Sequence, residues 1–130
     1  MKKRARILII DDSATALALM GKVLEAMGQI NYLQVDNGMT ALKKLNSENF
    51  DLVLLDWSMP KVSGIDLLRN IKSSKKLSWI PVIMITAESD TERVKEAMML
   101  GVNDYLVKPI NAEALKQKIR KALKGRELQM

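Results

Sequence analysis

Five short apolar runs alternate along the chain with segments of helical periodicity, and this alternation constrains the fold more than any other feature. The central runs are almost wholly apolar, as strands buried on both faces of a parallel sheet must be. The second run alternates apolar and polar residues, which predicts a strand at an edge of the sheet. The predicted strands are Arg6–Ile10, Tyr32–Val35, Leu52–Leu55, Val82–Ile85 and Tyr105–Val107.

The segments after these runs carry apolar residues three or four positions apart, which is typical of helices with one buried face. Polar capping residues and glycines mark several of their ends. In the fourth segment the residues predicted to be buried are Val94, Ala97 and Met98. The predicted helices run from the Ser13 cap to Gly28, from Gly38 to Leu45, from about Gly64, from after Asp90 to Gly101, and from the Asn111 cap.

A strand followed by a helix, repeated five times, predicts a three-layer α/β fold. Right-handed crossovers between successive strands place helices on both faces of a doubly wound parallel sheet. A length of 130 residues suits one domain with one core, and we predict a single domain over residues 1–130. The nine methionines fall mostly on the predicted buried stripes and are interpreted as core filler.

The absence of two residue types excludes several kinds of site. The chain has no cysteine and no histidine, which excludes disulfides, thiolate and imidazole metal ligands, and histidine general bases. Its apolar runs are far shorter than the roughly 18 residues of a membrane span. The basic amino terminus reaches acidic residues too soon for a signal peptide. We therefore expect a cytoplasmic protein without a membrane partner.

The net charge of +6 is concentrated near the two ends of the chain. One interpretation is a patch for nucleic acid or a membrane surface. We favour a solvated helix face whose cations offset the carbonyl end of the helix dipole, because no groove-reading motif accompanies the charge. The basic fifth helix suggests an acidic partner surface, and no DNA partner is expected. The basic residues are Lys2, Lys3, Arg4 and Arg6, then Lys116, Lys118, Arg120, Lys121, Lys124 and Arg126.

Polar and charged residues follow four of the five predicted strands. Asp11 and Asp12 come after the first strand, Asp56 after the third, Thr86 after the fourth and Lys108 after the fifth. Ligands of open α/β sheets gather at the carboxyl ends of the strands, so these side chains are expected to meet at one edge. Convergent carboxylates repel one another unless a cation lies among them, and Mg²⁺ prefers oxygen ligands. The pattern predicts a magnesium site that handles a phosphoryl group.

Each residue of this set can be given a chemical role. The two carboxylates after the first strand can hold Mg²⁺ directly or through water. Asp56 can do the same, and it can also act as a nucleophile toward phosphorus. The ammonium group of Lys108 would neutralise phosphoryl oxygens together with the metal. The Thr86 hydroxyl can donate a hydrogen bond to the attached phosphoryl group, and small Ala87 leaves room for the donor.

The ordered set of motifs resembles the receiver domain of two-component response regulators over essentially the full chain. Gly64 and the turn at residues 36–38 also fit this family. Asp56-Trp57 and Tyr105 make the chain most similar to stand-alone chemotaxis regulators of the CheY type. The motifs are Ile9-Ile10-Asp11-Asp12-Ser13, Leu54-Leu55-Asp56-Trp57-Ser58-Met59-Pro60, Met84-Ile85-Thr86-Ala87 and Val107-Lys108-Pro109.

The resemblance implies a mechanism in which a histidine kinase transfers phosphate from its own histidine to Asp56. It implies that the carboxylates of Asp12 and Asp56 and the backbone carbonyl of Ser58 hold Mg²⁺, with Asp11 acting mainly through water. It also implies that Lys108 contacts the phosphoryl group. The chain would assist its own phosphorylation and dephosphorylation without being an enzyme that acts on a separate substrate.

The resemblance further implies a strand order of 2-1-3-4-5, the flavodoxin-like arrangement, and a cis bond between Lys108 and Pro109. Thr86 would move toward the phosphoryl group, and Tyr105 would then rotate inward. This movement remodels the face made by the fourth helix, fifth strand and fifth helix. In this family the positions of Ser58 and Glu88 tune the lifetime of the phosphorylated state.

The partners implied by the resemblance are a sensor histidine kinase, a phosphorylation-dependent output protein and a phosphatase. A flagellar motor switch is one candidate output, and the chain is expected to be a monomer. A phosphate sink or relay receiver is the alternative.

Three other classes fit the residues less well. An aspartate-nucleophile phosphatase would need an acid at Ser58. A flavodoxin-like electron carrier would need a phosphate-binding loop after the first strand. A DNA-binding regulator would need a helix-turn-helix domain, and none is expected after residue 124.

Overall fold

A five-stranded parallel sheet with helices on both faces organises the protein. The computed structural model describes residues 5–28, 31–59, 61–86 and 91–124. The strand order is β2-β1-β3-β4-β5, which confirms the predicted α/β fold and places β2 at an edge. The strands are β1 (Ile7–Ile10), β2 (Tyr32–Val35), β3 (Leu52–Asp56), β4 (Val82–Thr86) and β5 (Asp104–Val107).

The strand boundaries differ from prediction by one residue at several ends. β1 begins at Ile7 rather than Arg6, and β5 begins one residue early, at Asp104. β3 and β4 each extend one residue further, so that Asp56 and Thr86 lie within the strands. Asp56 pairs with Ile85, and Thr86 pairs with Val107. These polar residues are held by the sheet ladder itself, which fixes their backbone positions.

Polar side chains cap the four helices whose preceding residue the structure describes. The side chains of Ser13, Asn37, Ser63 and Asn111 each accept a hydrogen bond from a backbone N–H in the first turn. Such caps satisfy donors that the helix itself leaves unpaired. The helices are α1 (Ala14–Ala26), α2 (Gly38–Ser47), α3 (Gly64–Ser73), α4 (Thr91–Met99) and α5 (Ala112–Leu123).

The two faces of the sheet build two separate core layers. On one face, Ile7 and Ile9 pack with residues of α1 and α5. On the other, Leu8 and Ile10 pack with residues of α2, α3 and α4. Successive side chains of a strand point to opposite faces, which explains why all four residues of β1 are fully buried. The three-layer prediction is therefore confirmed.

The interpretation of the methionines as core filler is wrong for several of them. Met98 was predicted to be buried, but its side chain is exposed, as are those of Met39 and Met99. Among residues 92–99 of α4, whose burial the structure describes, only the small Ala97 is buried, and Val94 is half-buried. Because α4 approaches the core along this narrow line, Met98, one residue further around the helix, faces solvent.

Among the described residues, no helix is long and apolar enough to span a bilayer.

Candidate functional site

The carboxyl ends of the strands bring the polar residues of the sequence motifs together. Asp11 directly follows β1, and its backbone N–H donates to the Val35 carbonyl at 3.2 Å. Asp56 and Thr86 are the last residues of β3 and β4. Lys108 directly follows β5, and its backbone N–H donates to the Thr86 carbonyl at 2.7 Å. The sheet thus places all four residues at one edge.

Three carboxylates form a cluster at this edge. One oxygen from each of Asp11, Asp12 and Asp56 lies within 4.8 Å of the other two. Asp11 is fully buried and Asp56 is 4% exposed, whereas Asp12 is exposed to solvent. The cluster therefore consists of two buried acids and one solvent-exposed acid. Oxygen ligands in this number and spacing suit a hard divalent cation.

The ammonium group of Lys108 lies between the two buried carboxylates. Its Nζ is 3.2 Å from Asp11 Oδ2 and 3.3 Å from Asp56 Oδ1. The other oxygen of Asp11 accepts a hydrogen bond from the Ser13 backbone N–H at 2.9 Å. Asp11 Oδ2 is at ion-pair distance from Lys108, but no directed hydrogen bond from the described residues reaches it. This buried oxygen thus keeps acceptor capacity for a further ligand.

Burial and neighbouring charges shift the pKa values of Asp56 and Lys108. Burial, followed by the negative charge of Asp11, raises the pKa of Asp56 from 3.8 to about 6, although Lys108 opposes this. Burial alone would lower the pKa of Lys108, but Asp56 and Asp11 together outweigh it and raise that pKa. Lys108 stays charged at neutral pH, and Asp56 keeps an unfavourable negative charge. One lysine does not compensate the three acids, so the residues present fit a divalent cation.

The raised pKa of Asp56 predicts that protons compete with magnesium. Below a pH of about 6 Asp56 is mostly protonated, and the proton must leave before the carboxylate can act as a ligand. We expect the dissociation constant for Mg²⁺ to rise about tenfold between about pH 7.5 and about pH 5. Isothermal titration calorimetry across this range measures it, with Asp56→Asn as the control expected to lose most of the dependence. A dissociation constant that does not change with pH would contradict this assignment.

An open cavity of about 400 Å³ adjoins the carboxylate cluster. Its lining residues are Asp12, Trp57, Ser58, Met59 and Ser63. Ser58, predicted as a metal ligand through its carbonyl, is therefore beside the cluster and exposed to solvent. The carboxylate cluster is therefore open to solvent on the side of Asp12. The peptide bond between Lys108 and Pro109 is cis.

The predicted switch residues occupy different environments. Thr86 is 2% exposed at the edge, whereas Tyr105 is 37% exposed, near the middle of β5. The Lys118 ammonium group lies 5.8 Å from the centre of the Tyr105 ring. Tyr105 is thus outward-facing and separate from the acidic cluster. Ala87 and Glu88, also predicted as site residues, lie outside the described residues.

Two supporting contacts were not predicted from the sequence. The guanidinium of Arg93 lies 5.5 Å from the centre of the Trp57 ring, next to Asp56. Gly64 packs against the loop that follows Asp56, and its N–H donates to the Trp57 carbonyl at 2.9 Å. Gly64 was noted only as a residue that fits the motif. Apart from the glycine itself, nothing in the sequence indicates that Gly64 packs closely against the backbone of Asp56 and Trp57.

The chain is similar in sequence to known proteins over most of its length. Residues 7–120 match the family described as response regulator receiver domain. The chain is 44% identical to chemotaxis protein CheY-3 of Vibrio cholerae over 121 residues, covering 93% of each protein. It is 44% identical to chemotaxis protein CheY of Pseudomonas aeruginosa over 116 residues, covering 89% of this chain and 94% of that protein.

A solved structure is similar to nearly the whole chain. The signal receiver domain of a signal transduction histidine kinase from Syntrophus aciditrophicus superposes with a TM-score of 0.86 at 31% identity. The match covers 97% of this chain and 95% of that one. The fold is therefore shared with a known receiver domain over nearly the whole chain.

Proposed function

The chain belongs to the family of response regulator receiver domains, and from this premise we propose that Asp56 accepts a phosphoryl group from the phosphohistidine of a sensor kinase. The observation that carries this proposal is the buried Asp56 carboxylate, which lies beside two other acids and 3.3 Å from the Lys108 ammonium group. A buried acid held in this way can present one oxygen to an incoming phosphorus atom. We propose that residues 1–130 act as one receiver domain.

The proposed step is an exchange of one bond to phosphorus for another. An oxygen of ionised Asp56 attacks the phosphorus atom, the bond between phosphorus and the kinase imidazole breaks, and its electron pair stays on the imidazole nitrogen. Asp11, Asp12, Asp56 and the Ser58 carbonyl would hold Mg²⁺. The bound cation would offset the negative charge of the phosphoryl oxygens. Lys108 would exchange its contact with Asp56 for one with the new phosphoryl group.

We propose that phosphorylation is communicated through Thr86 and Tyr105. The phosphoryl group adds about two negative charges and strong acceptors next to the buried Thr86. A hydrogen bond from the Thr86 hydroxyl would draw this side chain toward Asp56, and Tyr105 would turn inward from its exposed position. The face formed by α4, β5 and α5 would then bind its output protein differently. Ser58 and Glu88 would set how long the phosphoryl group survives.

For the output, we propose chemotaxis signalling, in which the receiver reports to a flagellar motor switch. The two chemotaxis proteins that are 44% identical over nearly the whole chain support this role. A phosphate sink or relay receiver is the second candidate, and the receiver domain of a histidine kinase among the similar structures supports it. A pull-down from cell extract with and without beryllofluoride, a phosphoryl mimic, distinguishes them. If motor components are pulled down only in the presence of beryllofluoride, the chemotaxis role is supported.

Lys108→Ala should leave phosphorylation measurable but disconnect it from partner binding. The variant keeps the Asp56 nucleophile, but it loses the cation that would contact the phosphoryl group. We expect the difference in output affinity between the two states to fall from on the order of tenfold to about none. Pull-downs with quantified phosphorylation measure this, with the exposed Lys43→Ala on α2 as the matched control. A response equal to that of the unmodified chain would refute the role of Lys108.

A further inference from the structure

A carboxylate at the start of β5 connects this strand to α5. Asp104 Oδ1 accepts a hydrogen bond from the Tyr105 backbone N–H at 2.8 Å. The same oxygen lies 2.8 Å from the Lys118 ammonium group in the middle of α5. The side chains of Asp104 and Lys118 are 24% and 28% exposed, so water and salt screen the pair only in part. The Lys118 ammonium group therefore has a defined position beside β5.

The Lys118 ammonium group also lies over the ring of Tyr105. Its Nζ is 5.8 Å from the centre of the ring, at the outer limit of a cation–π contact. Among the residues that the structure describes, the Tyr105 hydroxyl has no hydrogen-bond partner. The contact with Lys118 is therefore an attraction that favours the outward position of the ring.

This contact distinguishes the two positions that Tyr105 would take in the proposed switch. A ring that turns inward leaves the exposed position over which Lys118 lies, so the attraction acts in the outward state alone. A cation–π contact at an exposed site is weak and corresponds to about a two- to fivefold change in an equilibrium constant. Such a difference is sufficient to bias a switch, because contacts that differ between two states shift their populations.

Asp104 maintains the contact by restricting the Lys118 side chain. A lysine has a flexible four-carbon stem and samples many rotamers in water. The carboxylate has two opposite effects, because it fixes the position of the ammonium group and also neutralises part of the charge that attracts the ring. The effect on position is the larger one, since a contact at 5.8 Å is lost after a small displacement of the ammonium group.

We propose that Asp104 is a positioning residue of the switch. It holds Lys118 over the outward Tyr105 ring, and it thereby lowers the fraction of unphosphorylated chains whose ring is turned inward. This inference rests on the proposed role of Tyr105. Asp104 would set the output in the absence of phosphate, whereas phosphorylation of Asp56 would change it.

Nuclear magnetic resonance of the full chain with isotope-labelled tyrosine rings tests the proposal. The chain has two tyrosines, and Tyr32, whose hydroxyl donates to Glu25, is the internal control on the opposite edge strand. Relaxation caused by a soluble nitroxide measures the exposure of each ring without a phosphoryl mimic. The chain saturated with beryllofluoride and Mg²⁺ defines the inward signal. We expect Asp104→Asn to raise the inward fraction of Tyr105 about two- to fivefold and to leave Tyr32 unchanged.

Three further variants separate a positioning role from a general effect of charge. Lys118→Gln should act like Asp104→Asn, and the double variant should show no additional change, because Asp104 acts through Lys118. Lys118→Arg keeps a cation that stacks on aromatic rings, so the Tyr105 ring should stay outward. Glu113→Gln is the matched control, since it removes an acid that pairs with Lys116 at 3.4 Å on the same helix. It should leave the Tyr105 signal unchanged.

A Tyr105 ring that is as exposed in Asp104→Asn as in the unmodified chain, or more exposed, would overturn the proposal. Equal effects of Asp104→Asn and Glu113→Gln would also overturn it. Neither result affects the proposed function, because beryllofluoride and Mg²⁺ would still move the Tyr105 signal. If they do not move that signal in the unmodified chain, the proposed role of Tyr105 fails, and the role of Asp104 in the switch fails with it.

Discussion

Asp56→Asn should abolish labelling by acetyl phosphate and, in the same protein, raise the free energy of unfolding at neutral pH. The amide lacks the anionic oxygen that attacks phosphorus, so labelling should fall to background. The amide also removes a buried negative charge that repels Asp11. We expect a gain of about 2 kcal/mol in the absence of Mg²⁺.

The sign of the stability effect follows from the raised pKa of Asp56. A group whose pKa is higher in the folded state stabilises the fold while it is protonated. This stabilisation is full below the unfolded pKa of 3.8 and is lost as the pH rises through about 6. Asparagine mimics the protonated acid, so its advantage should appear at neutral pH and disappear at low pH. Chemical denaturation at both pH values measures this difference.

The two readouts of Asp56→Asn make its result decisive. A loss of label together with higher stability cannot be attributed to misfolding. The matched control is Asp36→Asn, which changes an exposed carboxylate that follows β2 at the same edge of the sheet. This control should keep full labelling. Labelling of Asp56→Asn at the level of the unmodified chain would disprove that Asp56 is the acceptor.

Gly64→Ala should be the most destabilising single-methyl change near the site. An added Cβ at this position would clash with the Asp56 carbonyl oxygen and lie 2.8 Å from the Trp57 Cα. Both are backbone atoms, which cannot move aside as a flexible side chain can. We expect a loss of about 3 kcal/mol in unfolding free energy and weaker Mg²⁺ binding, because the loop after Asp56 must shift.

Gly28→Ala is the control that distinguishes the effect of a steric clash from the effect of backbone strain. Gly28 has a φ of +78°, yet no atom lies within 4 Å of its added Cβ. This substitution should cost about 1 kcal/mol through backbone strain and leave Mg²⁺ binding unchanged. Denaturant unfolding and calorimetry of both variants provide the comparison. If Gly64→Ala costs no more than Gly28→Ala, the close packing behind Asp56 is not important for stability.

The strands and the site were predictable because their signals are local. A strand buried on both faces must be apolar throughout, so Leu52–Leu55 could be identified from its residues alone. The polar residue that ends such a strand must then lie at the carboxyl edge of the sheet. The sequence thus predicts that Asp11, Asp56 and Thr86 lie at the same edge of the sheet, and in the structure Asp56 and Thr86 end the neighbouring strands β3 and β4.

The features that escaped prediction depend on the exact orientation of helices. The apolar spacing of α4 does not tell how closely that helix approaches the sheet, so Met98 was predicted to be buried although it is exposed. The contact between Arg93 and Trp57 and the ion pair between Asp104 and Lys118 also depend on how distant segments pack. Neither contact leaves a periodic pattern in the sequence.

The position of β5 at the margin of the sheet has a mechanical consequence. This strand carries Tyr105 and leads directly into Lys108, and within the described sheet it pairs with β4 alone. An inner strand has two ladders of hydrogen bonds to distort when it moves, whereas β5 has one. If Lys108 and Tyr105 act as proposed, both would lie on the part of the sheet that is easiest to deform, and phosphorylation would reshape the surface there without disturbing the other strands.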